Sequence, residues 1–118
     1  MLYYNKKGNH MQKKLARIEQ KISRIKEELL KIGEMRPGSL TYQYQKPKEK
    51  KGGFWQISYT YQMKSKTEYV RSEFIQDLKK QIVMFRRFKK LVQLWTDLAI
   101  KYSQEKIKLA KESRVKLS

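Results

Sequence analysis

The sequence predicts an α+β protein: one helix, a three-stranded antiparallel meander and a long second helix, in one domain spanning residues 1–118. Three observations predict it. Apolar residues recur at helical spacing from Met11 to Ile32 and again from Phe74 to Tyr102. Between these stretches the apolar residues alternate with period two, the signature of half-buried strands. The connections within the alternating stretch are too short to hold a crossover helix, so its strands run antiparallel.

Residues 1–9 read as a loose arm, with Asn9 as the N-cap of a helix over residues 10–33. Met11, Leu15, Ile18, Ile22, Ile25, Leu29 and Ile32 follow one another at alternating spacings of four and three, an a/d stripe narrow enough for a coiled-coil seam. Leu15, Ile18, Ile22, Ile25 and Leu29 are therefore candidates for packing on the second helix or on a second copy of the chain. Gly33 supplies a stop and Pro37 prevents continuation.

The meander occupies residues 36–71. Arg36-Pro37-Gly38-Ser39 reads as a turn, because proline sets φ and glycine accepts positive φ. Leu40, Tyr42 and Tyr44 alternate with Thr41, Gln43 and Gln45 to make the first strand. From Phe54 to Gln62, Trp55, Ile57, Tyr59 and Tyr61 share one face of the second, and a shorter third strand covers Thr67 to Arg71. The connection over 46–53 is rich in lysine, and so is the one around Met63 to Lys66.

Ser72 sits where the second helix needs its N-cap, with Glu73 and Asp77 near the positive end of the helix dipole. From Glu73 onward there is no glycine or proline, so the helix is expected over residues 73–109, with 110–118 as a frayed tail. Phe85, Phe88, Val92 and Trp95 lie along its packing stripe. Such a helix is about 55 Å long at 1.5 Å per residue. A compact domain of similar size has a radius of gyration near ~13 Å. The excess needs a cover: the first helix, a second copy, or another protein.

Charge narrows the function classes. Lysine and arginine number 29 against 11 acidic residues, giving a formal +18 and a pI near 10.1. So much uncompensated charge on a short chain is costly in self-repulsion unless a polyanion accompanies it, which points to nucleic acid rather than to a merely solvated surface. There is no cysteine, which excludes disulfides and thiolate metal sites. Met1 to Met11 is polar and unlike a secretory signal, and no run approaches the ~20 apolar residues of a membrane span. A cytoplasmic protein, nucleoid-associated or within a ribonucleoprotein, is the expectation. No catalytic constellation stands out: His10 is a lone histidine, the carboxylates are scattered, and Ser39 lacks a nucleophile-elbow context. Neither an enzyme nor a bound cofactor is expected.

The basic residues carry the functional signal. On the second helix Lys79, Arg86 and Lys90 project within about 20° of one direction, and Lys80 and Arg87 flank them. The meander adds Arg36, Lys46, Lys48, Lys50, Lys51, Lys64, Lys66 and Arg71. Together these are the candidate phosphate-contacting groups. Tyr42, Tyr44, Trp55, Tyr59 and Tyr61 invite a base-stacking reading. The competing reading is core, and Ile57 on the same face favours it.

The order of helix, Arg36-Pro37-Gly38-Ser39-Leu40, tyrosine-rich hairpin ending in Glu68-Tyr69-Val70, then Phe85-Arg86-Arg87-Phe88 resembles a family of small prokaryotic proteins of unknown function associated with mobile genetic elements. The resemblance covers roughly residues 15–100. It implies several cysteines between the first two strands, where this chain has Gln45 to Gly53 and none, so any metal role of the family is absent here. It also implies DNA, an RNA-guided machine or a transposition machine as the setting. The expected function is non-catalytic nucleic-acid binding, with DNA as the first choice. The alternatives are an RNA-binding subunit of a ribonucleoprotein, and a protein-binding adaptor or inhibitor that docks through the long helix on a larger enzyme.

Overall fold

The computed structural model describes residues 6–117, with side chains described for residues 10–113. Helix α1 spans Lys6–Leu30, strands β1, β2 and β3 span Ser39–Lys46, Lys51–Tyr61 and Lys64–Val70, and helix α2 spans Ile75–Leu117. The fold is α+β, and the strands form one antiparallel sheet in the order β1-β2-β3.

Several boundaries differ from expectation. Residues 6–9, expected in an arm, are helical, so Asn9 lies inside α1 and is not its N-cap; no proline opposes the extension. Residues 1–5 of that arm lie outside the described residues. The helix ends at Leu30, before Gly33, where the Lys31 N–H closes a tighter turn on the Glu28 carbonyl at 3.2 Å. Ser72 does not cap α2. It opens a single 3-10 turn, Ser72–Phe74, whose N-cap is Arg71 without a side-chain cap bond. Of the residues expected to fray, 110–117 are helical, in keeping with their lysine, glutamate, alanine and leucine content, and Ser118 lies outside the described residues. Strands β2 and β3 begin at Lys51 and Lys64, three residues earlier than their side chains suggest, because main-chain ladder bonds do not depend on apolar patterning.

The described residues divide into two compact units. Those from Ile32 to Lys89 form a sheet unit, and those up to Lys31 and from Lys90 onward form a helix-pair unit.

The sheet unit gathers its core on one face of the sheet. Ile57 is fully buried, and Val70, Ile75 and Ile82 close around it with Leu40, Trp55 and Leu78 packed alongside. The Arg36-Pro37-Gly38-Ser39 turn is tied to α2 by the Arg36 N–H, which donates to the Gln81 carbonyl at 3.3 Å. Gly38 has φ +153°, and a Cβ there would lie 2.7 Å from Ile57 Cδ1, so both conformation and space require glycine.

In the helix-pair unit α1 runs antiparallel to the second part of α2. The partners descend along one helix as they rise along the other: Lys14 with Glu105, Glu19 with Tyr102, Lys26 with Trp95. Among its described residues Ile18, Ile25 and Leu91 are the buried apolar ones, while Leu15, Ile22, Leu29 and Trp95 are half-covered. Val92 is 40% exposed, and its neighbour Leu91 occupies the buried position instead. No helix among the described residues is long and apolar enough to cross a membrane.

Candidate nucleic-acid interface

Antiparallel pairing places all four strand lysines of the meander on the same face of the sheet as the core. Lys46 pairs with Lys51, Lys66 with Tyr59, and Lys64 with Tyr61. The core occupies the middle of this face, so the lysines mark its two ends.

At one end Tyr44, Tyr42 and Trp55 form a run of rings, with centroids 5.3 and 5.2 Å apart at steep angles of 80° and 57°. Tyr42 lies across Gly53, where any Cβ would collide with its ring. Lys79 leans from α2 over Trp55, its Nζ 5.7 Å from the ring centroid. Beyond the rings comes the Lys46–Lys51 rung, and the connection between them carries Lys48 and Lys50 with Glu49 as the sole carboxylate. Like charges directly opposite across two strands repel, so this rung destabilises the hairpin that carries it. Among the described residues, none of Lys46, Lys48, Lys50, Lys51, Lys64 or Lys66 makes an ion pair.

The other end is organised around Glu68. Tyr59 donates its hydroxyl to Glu68 Oε1 at 2.7 Å, and the Arg36 guanidinium stacks 5.0 Å from the Tyr59 ring centroid while reaching Glu68 Oε2 at 3.8 Å. The Glu68 hydrogen bond, helped by desolvation, raises the Tyr59 phenol above its ordinary pKa, and Arg36 partly opposes the rise. Arg36 is thus engaged inside the protein. Arg71 is open to solvent, 3.7 Å from Glu73.

The expected cationic residues therefore separate. Lys79 lies over the aromatic run, and the β1–β2 hairpin lysines lie at the sheet end beyond it. Lys64 and Lys66 stand at the opposite end of the sheet. Lys80, Arg86 and Arg87 are exposed on the sheet unit's part of α2, while Lys90 falls in the helix-pair unit. The core reading holds for Ile57 and largely for Trp55, but Tyr61 is 58% exposed and Tyr42 half-exposed. Two rings are not singled out by the sequence pattern. Phe54 and Tyr69 lie on the opposite face, 6.4 Å apart, and Tyr69 is 70% exposed. The polar composition of the third strand hides its alternation, although Tyr69 preceding a buried Val70 is a signal that this ring faces outward.

In the helix-pair unit a few charges are engaged internally. Glu105 is buried, 3.0 Å from Lys14 Nζ and 3.8 Å from Lys108 Nζ. The Lys14 hydrogen bond holds its carboxyl below the usual range, against the opposing effect of desolvation. Tyr102 donates to Glu19 at 2.6 Å, which raises the phenol. Among the described residues, no three His, Cys, Asp or Glu side chains gather where they could hold a metal ion.

No protein-family model, curated protein or solved structure matches the chain.

Proposed function

We propose that the protein binds nucleic acid without catalysing a reaction on it, with DNA as the polymer and a mobile genetic element as its setting. The observation that carries this reading is the Lys46–Lys51 rung. Two lysines face each other across a hairpin with Lys48 and Lys50 between them, and Lys79 lies over Trp55, two rungs further along the same face. Among the described residues none of the four hairpin lysines has an ion pair. A repulsive rung lowers the stability of the protein alone and is relieved when phosphates take the space between the charges. Lys64, Lys66 and Arg86 extend the grip by adding exposed cations on the same unit.

The test uses that conflict between stability and function. Lys51→Glu replaces a like-charge rung with an opposite-charge one, so the variant should unfold at higher denaturant, by about 0.5–1 kcal/mol. The same change should weaken binding to duplex DNA uniformly across sequences and flatten its salt dependence. About six neutralised phosphates give a log–log slope near −5 for the wild type, and every phosphate that the variant no longer neutralises makes the slope shallower by roughly 0.9. A variant that gains stability and binds DNA with an unchanged slope removes the hairpin from the interface. Wild-type protein that ignores DNA at low salt ends the reading altogether.

A further inference from the structure

The face of the sheet turned away from the core has no counterpart in the phosphate-gripping surface. Alternation from the core residues puts Thr41, Gln43, Phe54, Gln56, Thr67 and Tyr69 on it. Strand residues on this face carry no charge, although the chain as a whole carries +18. A face meant only for water in so basic a protein has every reason to carry lysine, yet the strand lysines all fall on the other side. It carries two aromatic rings instead, Tyr69 exposed and Phe54 half-buried. Phe54 and Tyr69 are diagonal neighbours across β2 and β3, with centroids 6.4 Å apart and planes inclined by 35°, so they sit side by side rather than on top of one another. Gln43 is directly opposite Phe54, and Gln56 directly opposite Tyr69.

We propose that this open face is a platform for the unpaired bases of single-stranded DNA. It rests on the nucleic-acid reading above and names the form of the polymer. A nucleobase is flat, uncharged and ringed with donors and acceptors. Aromatic faces stack on it regardless of sequence, and the flanking glutamine amides offer both a donor and an acceptor to its edges. A duplex keeps its base faces covered by their neighbours, so only a single strand can use the platform. The backbone of such a strand needs cations just outside the rings. Arg71, exposed just past the end of β3, follows Tyr69 by two residues, and Lys50 of the Lys48 and Lys50 connection lies about 14 Å along the chain from Phe54 at 3.4 Å per residue. In the run Tyr44–Tyr42–Trp55 on the other face the rings are closer, 5.3 and 5.2 Å apart and inclined at 80° and 57°, so they pack on one another.

The deciding experiment compares a twelve-nucleotide thymidine strand with an abasic strand of equal length and charge, by fluorescence anisotropy at low salt with the full chain. Wild-type protein should bind the thymidine strand roughly 10- to 100-fold more tightly. Tyr69→Thr and Phe54→Val replace the rings with β-branched residues that suit strands, and circular dichroism checks their folding. Each should bring the thymidine strand toward the abasic affinity while leaving the abasic affinity unchanged. Equal wild-type affinities for the two strands overturn the platform but leave the phosphate grip standing. If neither strand binds but a duplex of equal length does, the platform falls and the phosphate grip stands; if the duplex fails as well, both readings fall. A uridine strand that depends on Tyr69 while the thymidine strand does not overturns the choice of DNA. A wild type that sediments as a dimer, with Tyr69→Thr a monomer, assigns the face to a second copy instead.

Discussion

The helix-pair unit and the sheet unit are both strongly basic, but the carboxylates of each are committed to different partners. In the helix pair, carboxylates are placed to absorb cations and phenols: Glu105 takes Lys14 and Lys108, Glu19 takes Tyr102, and Lys26 lies 5.2 Å from the Trp95 ring centroid. In the sheet unit, Glu68 and Glu73 hold Arg36 and Arg71, and Asp77 accepts from the Gln81 amide at 2.8 Å. Among the described residues nothing comparable is left for the hairpin lysines. Exposed cations without an ion pair among the described residues also remain in the helix pair, Lys13, Arg17, Lys21 and Arg24 among them, so what sets the hairpin lysines apart is their like-charged rung.

The two units also differ in what holds them. The sheet unit has one continuous apolar cluster around Ile57, whereas the helix pair combines a thin apolar line with polar links. One tryptophan lies in each, Trp55 in the sheet unit and Trp95 in the helix pair, so Trp→Phe variants let either be followed alone. The largest expected effect is that of Ile57→Ala. Removing this fully buried side chain should cost about 2–5 kcal/mol in denaturant unfolding. If the units are independent, Trp55 should report the loss and Trp95 should not. Coincident transitions at the two tryptophans would make them one cooperative system.

A smaller effect concerns the β2–β3 turn. Gln62 and Met63 both have positive φ, at 51° and 64°, in the two-residue loop where glycine and asparagine are ordinarily found, and Met63 is 98% exposed. Met63→Gly should raise the stability of the sheet unit by about 1 kcal/mol in denaturant unfolding, through relief of the left-handed conformation. A loss of stability would mean that the methionine side chain makes a contribution its exposure does not reveal.

The smallest effect is titration, which should mark the helix pair more than the sheet. Because the pKa of Glu105 is lowered by folding, its contribution is complete above the ordinary glutamate pKa of about 4.3 and is lost as pH falls through the lowered value. Glu105→Gln should therefore lose less stability than wild type between pH 5 and strong acid. Tyr102 has the opposite sign. Its raised pKa makes the Glu19 bond a contribution present below about pH 10 and lost as pH rises beyond it, so Tyr102→Phe should flatten the alkaline limb. Thermal unfolding across pH, read at Trp95, checks both.

The order of elements is legible from the chain. Period-two alternation and helical spacing are local properties, written in runs such as Leu40-Tyr42-Tyr44 and Ile18-Ile22-Ile25. Strand ends are less legible, because Lys51 and Lys64 join the ladder through main-chain bonds that side-chain chemistry does not announce. Alternation within β2 alone picks out Tyr59 and Tyr61 and passes over Phe54 and Tyr69, whose pairing runs across two strands.

Residue content and near neighbours along the chain suffice for the excess of positive charge, the α+β succession and the need for glycine in the Arg36-Pro37-Gly38-Ser39 turn. Folding in three dimensions was required to set Lys46 against Lys51, to engage Arg36 with Tyr59 and Glu68, and to bury Glu105 beside Lys14. The same holds for Phe54 and Tyr69 on the open side of the sheet. These arrangements depend on strand register and helix pairing. Register sets which residues face one another across a gap of many positions, and no local pattern encodes that distance.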